Sequence, residues 1–327
     1  MKKIIVDTYG ADLGASVVIQ GTADALRCGL PFFPIMVGDK EKIDVLLAEQ
    51  GISKERYEVI HTTEFVAQSD LSTVVFNGRE ESSMVLGYKR LKEDADCIAM
   101  ISPGNTGALL VGSICRLGLL PGMKFPALAS ALPCAGEKLL CLVDCGANTV
   151  CTAKDLTNFA KLGDVFCRCF CEIESPRIGV MSVGKEKGKG TPVVQEAYES
   201  IEALGLNFVG NLEGGDMVSG CADVIVTDGF SGNLLLKNTE AAGKAALTAV
   251  EALDLDRDTM ERIRKTLLKK FEFNARGAAT FLGTAKPVVK MHGCATEETT
   301  VAAIDQALRL DAKDFSKQMA DLMQPSD

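Results

Sequence analysis

Polar, glycine-containing turns directly follow short apolar runs at several points in the chain, and these turns hold the residues best suited to chemistry. The longest lies in residues 222–237 (ADVIVTDGFSGNLLLK), where a Val- and Ile-rich run leads into Asp228, two glycines, Asn233 and Lys237. We interpret this segment as a buried strand, a tight loop and the first turns of a helix. Ligands bind at the carboxyl ends of strands in open α/β sheets, and a helix start offers free backbone N–H groups to an anion.

Two further turns have the same design. Residues 101–110 (ISPGNTGALL) and residues 143–148 (VDCGAN) each begin at the end of an apolar run. In the first of them Gly104 forces a turn, and the side chain of Asn105 can cap a helix or bond a ligand. The turn at residues 222–237 or the turn at residues 101–110, taken alone, is at least as well explained as a capped strand-to-helix connection. Because polar groups at several strand ends converge where a ligand binds, the three turns together favour a shared cleft.

A fourth turn is cationic. Residues 184–191 (GKEKGKGT) follow another apolar run and contain three lysines among three glycines. The ordinary interpretation is a solvated, flexible loop. Its position after a strand also fits a mobile clamp over an anion, and Lys189, the lysine nearest the following helix, is then the candidate.

The two histidines differ in context. His61 closes an early strand beside two threonines, and we assign it a structural role. His292 follows the apolar residues 288–291 and precedes Gly293, a position where an imidazole can transfer a proton near neutral pH. A hydrogen-bonded structural histidine is the alternative for His292.

The composition excludes several classes of function. The chain has 327 residues, of which 47% are hydrophobic, and a net charge of −9 with a pI near 5.0 and no basic block, which argues against nucleic-acid binding. No apolar run reaches the roughly 18 residues needed to cross a bilayer. The start of the chain, MKKIIVDTYG, does not resemble a signal peptide, so the twelve cysteines are expected to be reduced thiols of a cytoplasmic protein.

No cofactor or metal is expected. The chain has neither a Walker motif nor a G-x-G-x-x-G turn after a strand, so a nucleotide cofactor is not indicated. Cys167, Cys169 and Cys171 lie in a segment predicted to be helical, where only Cys167 and Cys171 share a face. Paired C-x-x-C elements are absent, and buried thiols are therefore the better explanation.

The distribution of apolar residues predicts the fold. Val- and Ile-rich runs alternate with longer amphipathic segments, and the runs are residues 4–6, 34–37, 57–60, 97–101, 139–143, 178–183, 224–227 and 288–291. Because such alternation is typical of βαβ units, we predict a three-layer α/β/α sandwich with a mostly parallel sheet. Thr152 and Asp155 predict a capping box that opens a helix reaching about residue 170. With no linker or repeat evident, we expect one domain over residues 1–327, whose two lobes, if formed, share a central cleft.

A basic amphipathic segment lies near residue 265. Residues 259–271 (TMERIRKTLLKKF) place apolar side chains at helical spacing and surround them with Arg and Lys, including Lys269 and Lys270. The simplest interpretation is a surface helix packed on the core. In an acidic protein, however, such a helix also suits contact with an anionic membrane or an acidic partner.

Taken in order, these motifs resemble the phosphate acyltransferase (PlsX) family of bacterial phospholipid synthesis. The resemblance spans nearly the whole chain, and GNTGA and DGFSGNLLLK are its most specific blocks. Its other motifs are DTYGAD at Asp7, MVGD at Met36, REESSM at Arg79, DCGAN at Asp144, the GKEKGKG loop, GNLEGGD at Gly210, RGAATFLG at Arg276 and HG at His292.

The resemblance implies both a reaction and a fold. Family members pass a fatty acyl group from acyl carrier protein to inorganic phosphate, which gives acyl phosphate. The implied fold is the α/β/α architecture shared with isocitrate dehydrogenase-like and phosphotransacetylase enzymes, usually as a homodimer working at the membrane surface without a cofactor. A phosphotransacylase that uses acyl-coenzyme A, or a catalytically weakened module that binds acyl groups or carrier protein, is the alternative.

Within this reaction the candidate residues take two roles. Because phosphate is itself the nucleophile, the protein must chiefly bind the anion, orient it and stabilise the oxyanion that develops. The predicted catalytic residues are Lys189, Lys237, His292, Asn105 and Asp228, with Lys189 closing over the anion, His292 assisting proton transfer to the leaving thiolate and Asp228 orienting a lysine or histidine. The predicted phosphate- and oxyanion-binding residues are Gly104, Thr106, Gly107, Asn148, Gly229, Gly232 and Asn233.

The chain departs from the family pattern at its loops. Thr8 and Tyr9 stand where smaller residues usually form the first glycine turn, and Cys294 with Ala295 stands where a serine-rich stretch usually follows His-Gly. Acidic residues follow Arg79 where basic residues are common. We therefore expect a divergent member whose acyl substrate, or even whose activity, differs from the family norm, and whose helix at residues 259–271 docks the acidic carrier protein or lipid.

Overall fold

The computed structural model describes residues 1–135, 138–253, 255–271 and 278–324 of the chain, without the side chains of residues 269 and 270. The predicted roles of the Lys269 and Lys270 side chains, and the motif position Arg276, therefore lie outside the described residues.

The order of elements alternates between strand and helix. The strands are Lys2–Asp7 (β1), Phe32–Gly38 (β2), Glu58–His61 (β3), Cys97–Ser102 (β4), Ala127–Pro133 (β5), Leu139–Val143 (β6), Ile178–Met181 (β7), Phe208–Leu212 (β8), Val224–Val226 (β9), Ala279–Leu282 (β10) and Val288–Lys290 (β11). The α-helices are Ala15–Arg27 (α1), Lys40–Glu49 (α2), Ser83–Glu93 (α3), Thr106–Gly112 (α4), Ala153–Phe166 (α5), Pro192–Glu202 (α6), Asp216–Ser219 (α7), Gly229–Glu251 (α8), Arg257–Phe271 (α9), Glu297–Ala312 (α10) and Phe315–Leu322 (α11). Each apolar run predicted to be a strand overlaps one of these strands.

The chain divides into two compact units, which we describe separately. The first unit comprises Met1–Pro126 with Gly277–Asp327, and the second comprises Ala127–Arg276. In the first unit the strand order is β3-β2-β1-β4-β11-β10. The pairs from β3 to β11 are parallel, whereas β10 runs antiparallel to β11. Because Lys290 of β11 lies opposite Ser102 of β4, these strands end at the same edge of the sheet.

Helices cover both faces of the sheet in the first unit. Successive side chains of a strand point to opposite faces. Ile4 and Val6 of β1 belong to a buried cluster with side chains of α1, α2 and α10. Ile5, on the other face, approaches α3 at Gly87, where an added Cβ would lie 3.3 Å from Ile5 Cγ2. This arrangement confirms the predicted three-layer α/β/α architecture.

The second unit has the strand order β5-β6-β9-β7-β8. β5 is antiparallel to β6, and the remaining pairs are parallel. The predicted capping box of α5 is confirmed: the Thr152 N–H donates to Asp155 Oδ2 at 2.8 Å, and the Asp155 N–H donates to Thr152 Oγ1 at 3.3 Å. The helix continues as a π-helical turn, Cys167–Cys171, so its predicted end near residue 170 is also confirmed.

The cysteines are dispersed through both units. All twelve are free thiols, and Cys167 and Cys169 are buried. Over the described ranges, no three His, Cys, Asp or Glu side chains are placed to hold a metal ion. Among the helices of the same ranges, none combines the length and the apolar character needed to cross a bilayer.

Candidate active site

The candidate residues form two groups, one in each unit. The first unit holds the turn after β4 and His292. The second unit holds the turn after β6, the start of α8 and the lysine loop after β7. Each group is built from loops at the carboxyl ends of parallel strands, as the sequence predicts.

A buried carboxylate organises the turn after β4. Ser102 Oγ donates to Asp7 Oδ2 at 2.7 Å and accepts from the Gly104 N–H at 3.0 Å. Asp7 is 1% exposed, and burial raises its pKa to about 6. Its other oxygen accepts from the Tyr9 N–H at 3.2 Å. The Asp7 carboxylate thus fixes the Ser102 hydroxyl, which in turn fixes the backbone of Gly104.

Asn105 is the N-cap of α4. Its Oδ1 accepts from the Ala108 N–H at 3.0 Å, and its Nδ2 donates to the carbonyl oxygen of Gln68 at 2.9 Å. The Gln68 amide itself donates to the carbonyl oxygens of Gly10 and Pro103. Both polar ends of the Asn105 side chain therefore hold the turn in place. The catalytic role of Asn105 stays a prediction. Because both ends of its side chain are bonded to the protein, Asn105 is better placed to position the turn than to hold the anion directly.

The glycines of this turn allow close backbone approach. A Cβ on Gly10, whose φ is +107°, would lie 2.5 Å from the Gly104 Cα. A Cβ on Gly104 would lie 2.8 Å from Met84 Cε, and one on Gly107 would overlap Ser72 Oγ. Thr106 begins α4 between the last two of them. The candidate binding residues Gly104, Thr106 and Gly107 are thus brought together in one tight turn.

His292 lies at the same sheet edge as this turn. It follows β11, and the N–H of the preceding Met291 donates to the carbonyl oxygen of Ser102 at 2.9 Å. The imidazole is exposed, and its Nδ1 lies 3.0 Å from Cys294 Sγ. His61, by contrast, accepts from the Lys40 N–H through Nδ1 at 3.1 Å, in keeping with its assigned structural role.

Asp144 organises the corresponding turn of the second unit. Its buried carboxylate accepts from the N–H groups of Gly146 and Ala147 at 2.9 Å each and of Asn148 at 2.7 Å. The Asn148 side chain donates to it as well, at 2.7 Å. Burial raises the pKa of Asp144, and these donors oppose the rise. The candidate Asn148 is thereby held by both its main chain and its side chain.

The start of α8 packs directly on this turn. The Gly229 N–H donates to the carbonyl oxygen of Asn148 at 2.6 Å. A Cβ on Gly229 would lie 2.7 Å from the same oxygen, and one on Gly232 would overlap the carbonyl oxygen of Asp144. Asp228 caps the helix by accepting from the Ser231 N–H at 2.9 Å and the Ser231 hydroxyl at 2.8 Å. These contacts join Asp228 to Ser231 and not to a lysine or histidine, so its predicted role in orienting such a residue stays a prediction.

Asn233 and Lys237 continue one face of α8. Residues four apart lie on the same face of a helix, so both follow Gly229. Asn233 lies against the turn, with its Oδ1 3.6 Å from a Cβ built on Gly146. The Lys237 ammonium is half-exposed and pairs with Glu240 at 2.8 Å. Burial raises the pKa of the Cys145 thiol, and the Lys237 charge opposes that rise, which places the ammonium within electrostatic reach of the turn.

The lysine loop presents one cation without a carboxylate partner. Lys185 pairs with Asp216 at 3.1 Å, and Lys187 pairs with Glu202 at 2.7 Å. Lys189 is exposed and forms no ion pair with any residue that the structure describes. Of the three lysines, Lys189 is therefore the one without a carboxylate partner among the described residues, and its role as a clamp over an anion stays a prediction.

The two groups have matching chemistry. Each contains a glycine-containing turn whose shape is fixed by hydrogen bonds to a buried aspartate. This aspartate is Asp7, acting through Ser102, in the first unit and Asp144 in the second. Backbone N–H groups and ammonium groups bind anions and stabilise oxyanions without a metal. Sequence reasoning did not single out either aspartate, although each directly ends an apolar run and precedes a glycine by two or three residues.

The sequence is similar to curated proteins over almost its full length. The family model described as "Fatty acid synthesis protein" matches residues 2–318. A phosphate acyltransferase of Clostridioides difficile is 31% identical, covering 94% of this chain and 92% of that protein. A phosphate acyltransferase of Caldanaerobacter subterraneus is 34% identical, covering 95% and 94%.

Solved structures show the same fold at low sequence identity. A phosphotransacetylase of Streptococcus pyogenes has a TM-score of 0.67 at 19% identity and covers 95% of this chain and 94% of that one. A branched-chain phosphotransacylase of Enterococcus faecalis has a TM-score of 0.56 at 15% identity and covers 94% and 99%. These likenesses establish a phosphotransacetylase-like α/β/α fold.

Proposed function

Because the chain belongs to the phosphate acyltransferase family, we propose that it transfers a fatty acyl group from acyl carrier protein to inorganic phosphate, and that the acyl phosphate serves phospholipid synthesis. The observation that carries the proposal is the pair of glycine turns braced by Asp7 and Asp144, which suit an anionic nucleophile and a developing oxyanion. A phosphotransacylase that uses acyl-coenzyme A is the alternative, supported by the fold likeness to phosphotransacetylases.

The reaction needs little from side chains. A phosphate oxygen attacks the thioester carbonyl, and the carbon–sulfur bond breaks. The leaving thiolate then takes up a proton and becomes a thiol. The N–H groups of residues 105–107 and the Phe230 N–H at the start of α8 stabilise negative charge, Lys237 and Lys189 neutralise phosphate, and His292 supplies the proton. Asn105 and Asn148 keep their turns in the required shape.

A basic helix suits the acidic donor. α9 carries a groove of about 330 Å³ lined by Thr259, Arg262, Ile263, Thr266 and Leu267. Arg264 pairs with Glu251 and Lys265 with Glu261, whereas Arg262 has no carboxylate partner in the described ranges. We propose that Arg262 and this groove contact acyl carrier protein, since an acidic chain needs a local positive surface to attract an acidic partner.

The resemblance also implies an assembly and a location. We propose a cytoplasmic homodimer that touches an anionic membrane surface through residues 259–271. Light scattering measures the mass of the assembly, and sedimentation with vesicles containing anionic lipid measures the membrane contact. A monomeric mass, or no co-sedimentation at low salt, would reject the respective proposal.

A donor comparison tests the proposed function. The protein is mixed with phosphate and with acyl carrier protein or coenzyme A carrying the same acyl group, and acyl phosphate and free thiol are measured. We expect phosphate-dependent thiol release with a kcat/KM at least about tenfold higher for the carrier-protein thioester, because only that donor uses the α9 surface. A preference for coenzyme A would establish the alternative, and binding without turnover would reject both enzymatic proposals.

The same assay separates docking from chemistry. Arg262→Glu should raise the KM for the carrier-protein thioester about fivefold and leave the coenzyme A reaction unchanged, because an exposed charge acts mainly on association. Lys317→Glu on α11 makes the same charge change in the other unit and serves as the control. Equal effects of the two variants would disprove docking on α9.

Lys237→Ala tests the phosphate assignment. Losing this ammonium from the face of α8 that carries Asn233 should raise the phosphate KM about tenfold or more, with a smaller effect on the KM for the thioester. Lys244→Ala removes an exposed lysine two turns farther along the same helix and should leave both constants unchanged. An unchanged phosphate KM and kcat in Lys237→Ala would show that Lys237 does not bind the anion.

A further inference from the structure

Cys294 and His292 form a thiol–imidazole pair on the surface of the first unit. Cys294 Sγ lies 3.0 Å from His292 Nδ1, and the Cys294 N–H lies 3.3 Å from the same nitrogen. A backbone N–H can only donate, so Nδ1 is an acceptor and the ring proton resides on Nε2. Nδ1 has a single lone pair, which the thiol sulfur at 3.0 Å approaches more closely than the main-chain nitrogen at 3.3 Å, so this lone pair can take the thiol proton.

Backbone bonds on both sides hold the pair in place. The Ala295 N–H donates to the carbonyl oxygen of His292 at 3.0 Å and closes a turn around Cys294. The Asp12 N–H donates to the carbonyl oxygen of Gly293 at 2.7 Å. A Cβ on Gly293 would lie 3.2 Å from both carboxylate oxygens of Asp12, so glycine permits this packing. The main chain that carries the pair is thus held by hydrogen bonds on either side of Cys294.

The pair is distinctive among the cysteines of the chain. Only Cys28, Cys221 and Cys294 are exposed. Cys221 Sγ lies 4.0 Å from a carbonyl oxygen of Asp216, and the chain's other histidine, His61, is bonded to the main chain of Lys40. Burial raises the pKa of Cys97 to about 11 and that of Cys151 to about 12, which keeps these thiols protonated and unreactive.

The pair lies beside the turn proposed to handle acyl transfer. β11 runs parallel to β4, with Lys290 opposite Ser102, so Cys294 and the Gly104 turn emerge at the same edge of the sheet. An activated acyl group that reaches this edge meets an exposed thiol with an adjacent proton acceptor. This combination is the arrangement that activates cysteine nucleophiles.

We propose that Cys294 is a nucleophilic acyl-acceptor site, activated by His292, that takes an acyl group from an acyl phosphate. The Sγ–carbonyl carbon bond forms, the carbon–oxygen bond to phosphate breaks, phosphate leaves, and the thiol proton passes to His292 Nδ1. The product is a thioester on Cys294. The choice of acyl phosphate as the electrophile rests on the proposed function, whereas the activation of the thiol does not.

Two probes test the site on the intact protein. Limiting iodoacetamide measures thiol reactivity, and acetyl phosphate measures acyl acceptance, each followed by peptide mass spectrometry at Cys28, Cys221 and Cys294. We expect Cys294 to be alkylated at least about tenfold faster than the other two and to be the cysteine that gains a hydroxylamine-sensitive acetyl group. Equal rates at the three cysteines, or no acetyl group on Cys294, would overturn the proposal.

Two variants assign the effect to the pair. His292→Asn keeps a polar group at the position of Nδ1 but cannot take a proton near neutral pH, so alkylation of Cys294 should slow about tenfold. The rates at Cys28 and Cys221 should not change, which also reports that the fold is intact. Cys294→Ser should abolish the acetyl adduct. An unchanged Cys294 rate in His292→Asn would show that the imidazole does not activate the thiol.

The outcome is separable from that of the proposed function. Acetyl phosphate reacts without carrier protein or added phosphate, so adduct formation on Cys294 is measured whether or not the protein releases thiol from acyl carrier protein. Turnover without the adduct rejects the acceptor site alone. The adduct without turnover rejects the proposed function alone.

Discussion

Gly232→Ala should unfold or inactivate the protein, with the free energy of unfolding reduced by about 3 kcal/mol. The added methyl group would overlap the carbonyl oxygen of Asp144 and lie 2.9 Å from Thr227 Cγ2. A backbone carbonyl cannot move aside as a flexible side chain can. Helix α8 would therefore be displaced from the turn at Asp144–Asn148, and the start of α8 would no longer have the position that the proposed anion site requires.

The measurement is thermal and urea unfolding together with the phosphate KM of the soluble fraction. Gly215→Ala provides the control, because a Cβ at Gly215 has no atom within 4 Å and that residue lies directly before α7 in the same unit. The control should change stability by less than about 0.5 kcal/mol. Gly232→Ala with wild-type stability and wild-type phosphate KM would show that the close packing of α8 on this turn is unimportant.

The strands of the fold that the sequence predicts are those with a strong apolar signal. Val- and Ile-rich runs revealed β1, β2 and β11, among others, because buried parallel strands need apolar side chains on both faces. β5 was missed because its sequence, ALASALP, is rich in alanine and ends in proline, both of which are depleted in strands. β8 (FVGNL) was also missed. Its Gly210, whose φ is +90°, interrupts the run of apolar residues by which a buried strand is recognised.

The candidate turns were visible in the sequence, but their supports were not. Asn105 was recognisable as a possible cap because capping is a local interaction with α4. Its second bond goes to Gln68, which lies 37 residues earlier in the chain, and no local pattern reports such a contact. Likewise, Asp7 meets Ser102 across 95 residues, because β1 and β4 are neighbours in the sheet. Pairing of distant strands, rather than local propensity, creates this part of the site.

The stability of the protein should depend on pH through Asp7. Burial raises the pKa of Asp7 from 3.8 to about 6, so the folded protein holds this proton more tightly than the unfolded chain. The free energy of unfolding contributed by Asp7 therefore falls as pH rises through that interval and stays low above it. A shift of about two pKa units corresponds to about 3 kcal/mol.

Asp7→Asn should remove this dependence. The difference in unfolding free energy, variant minus wild type, should increase by about 2 kcal/mol between pH 4.5 and pH 7, whatever constant amount is lost with the hydrogen bond. Urea unfolding at half-unit pH steps measures it. Asp44→Asn is the control. Burial tends to raise the pKa of Asp44, but hydrogen bonds from Lys54 and Lys40 lower it to about 2. The contribution of Asp44 to the free energy of unfolding therefore no longer changes over this range.

A flat difference for Asp7→Asn over that range would show that the carboxylate is not strained by burial. The expected loss of stability with rising pH has a functional meaning. A protein selected for stability alone would have a neutral side chain in place of Asp7. Only an ionised Asp7 accepts from the Ser102 hydroxyl and the Tyr9 N–H together without a donor of its own to satisfy. The ionised carboxylate forces the Ser102 oxygen to present a lone pair to the Gly104 N–H. The stability lost at neutral pH is thus coupled to the shape of the turn proposed to bind phosphate.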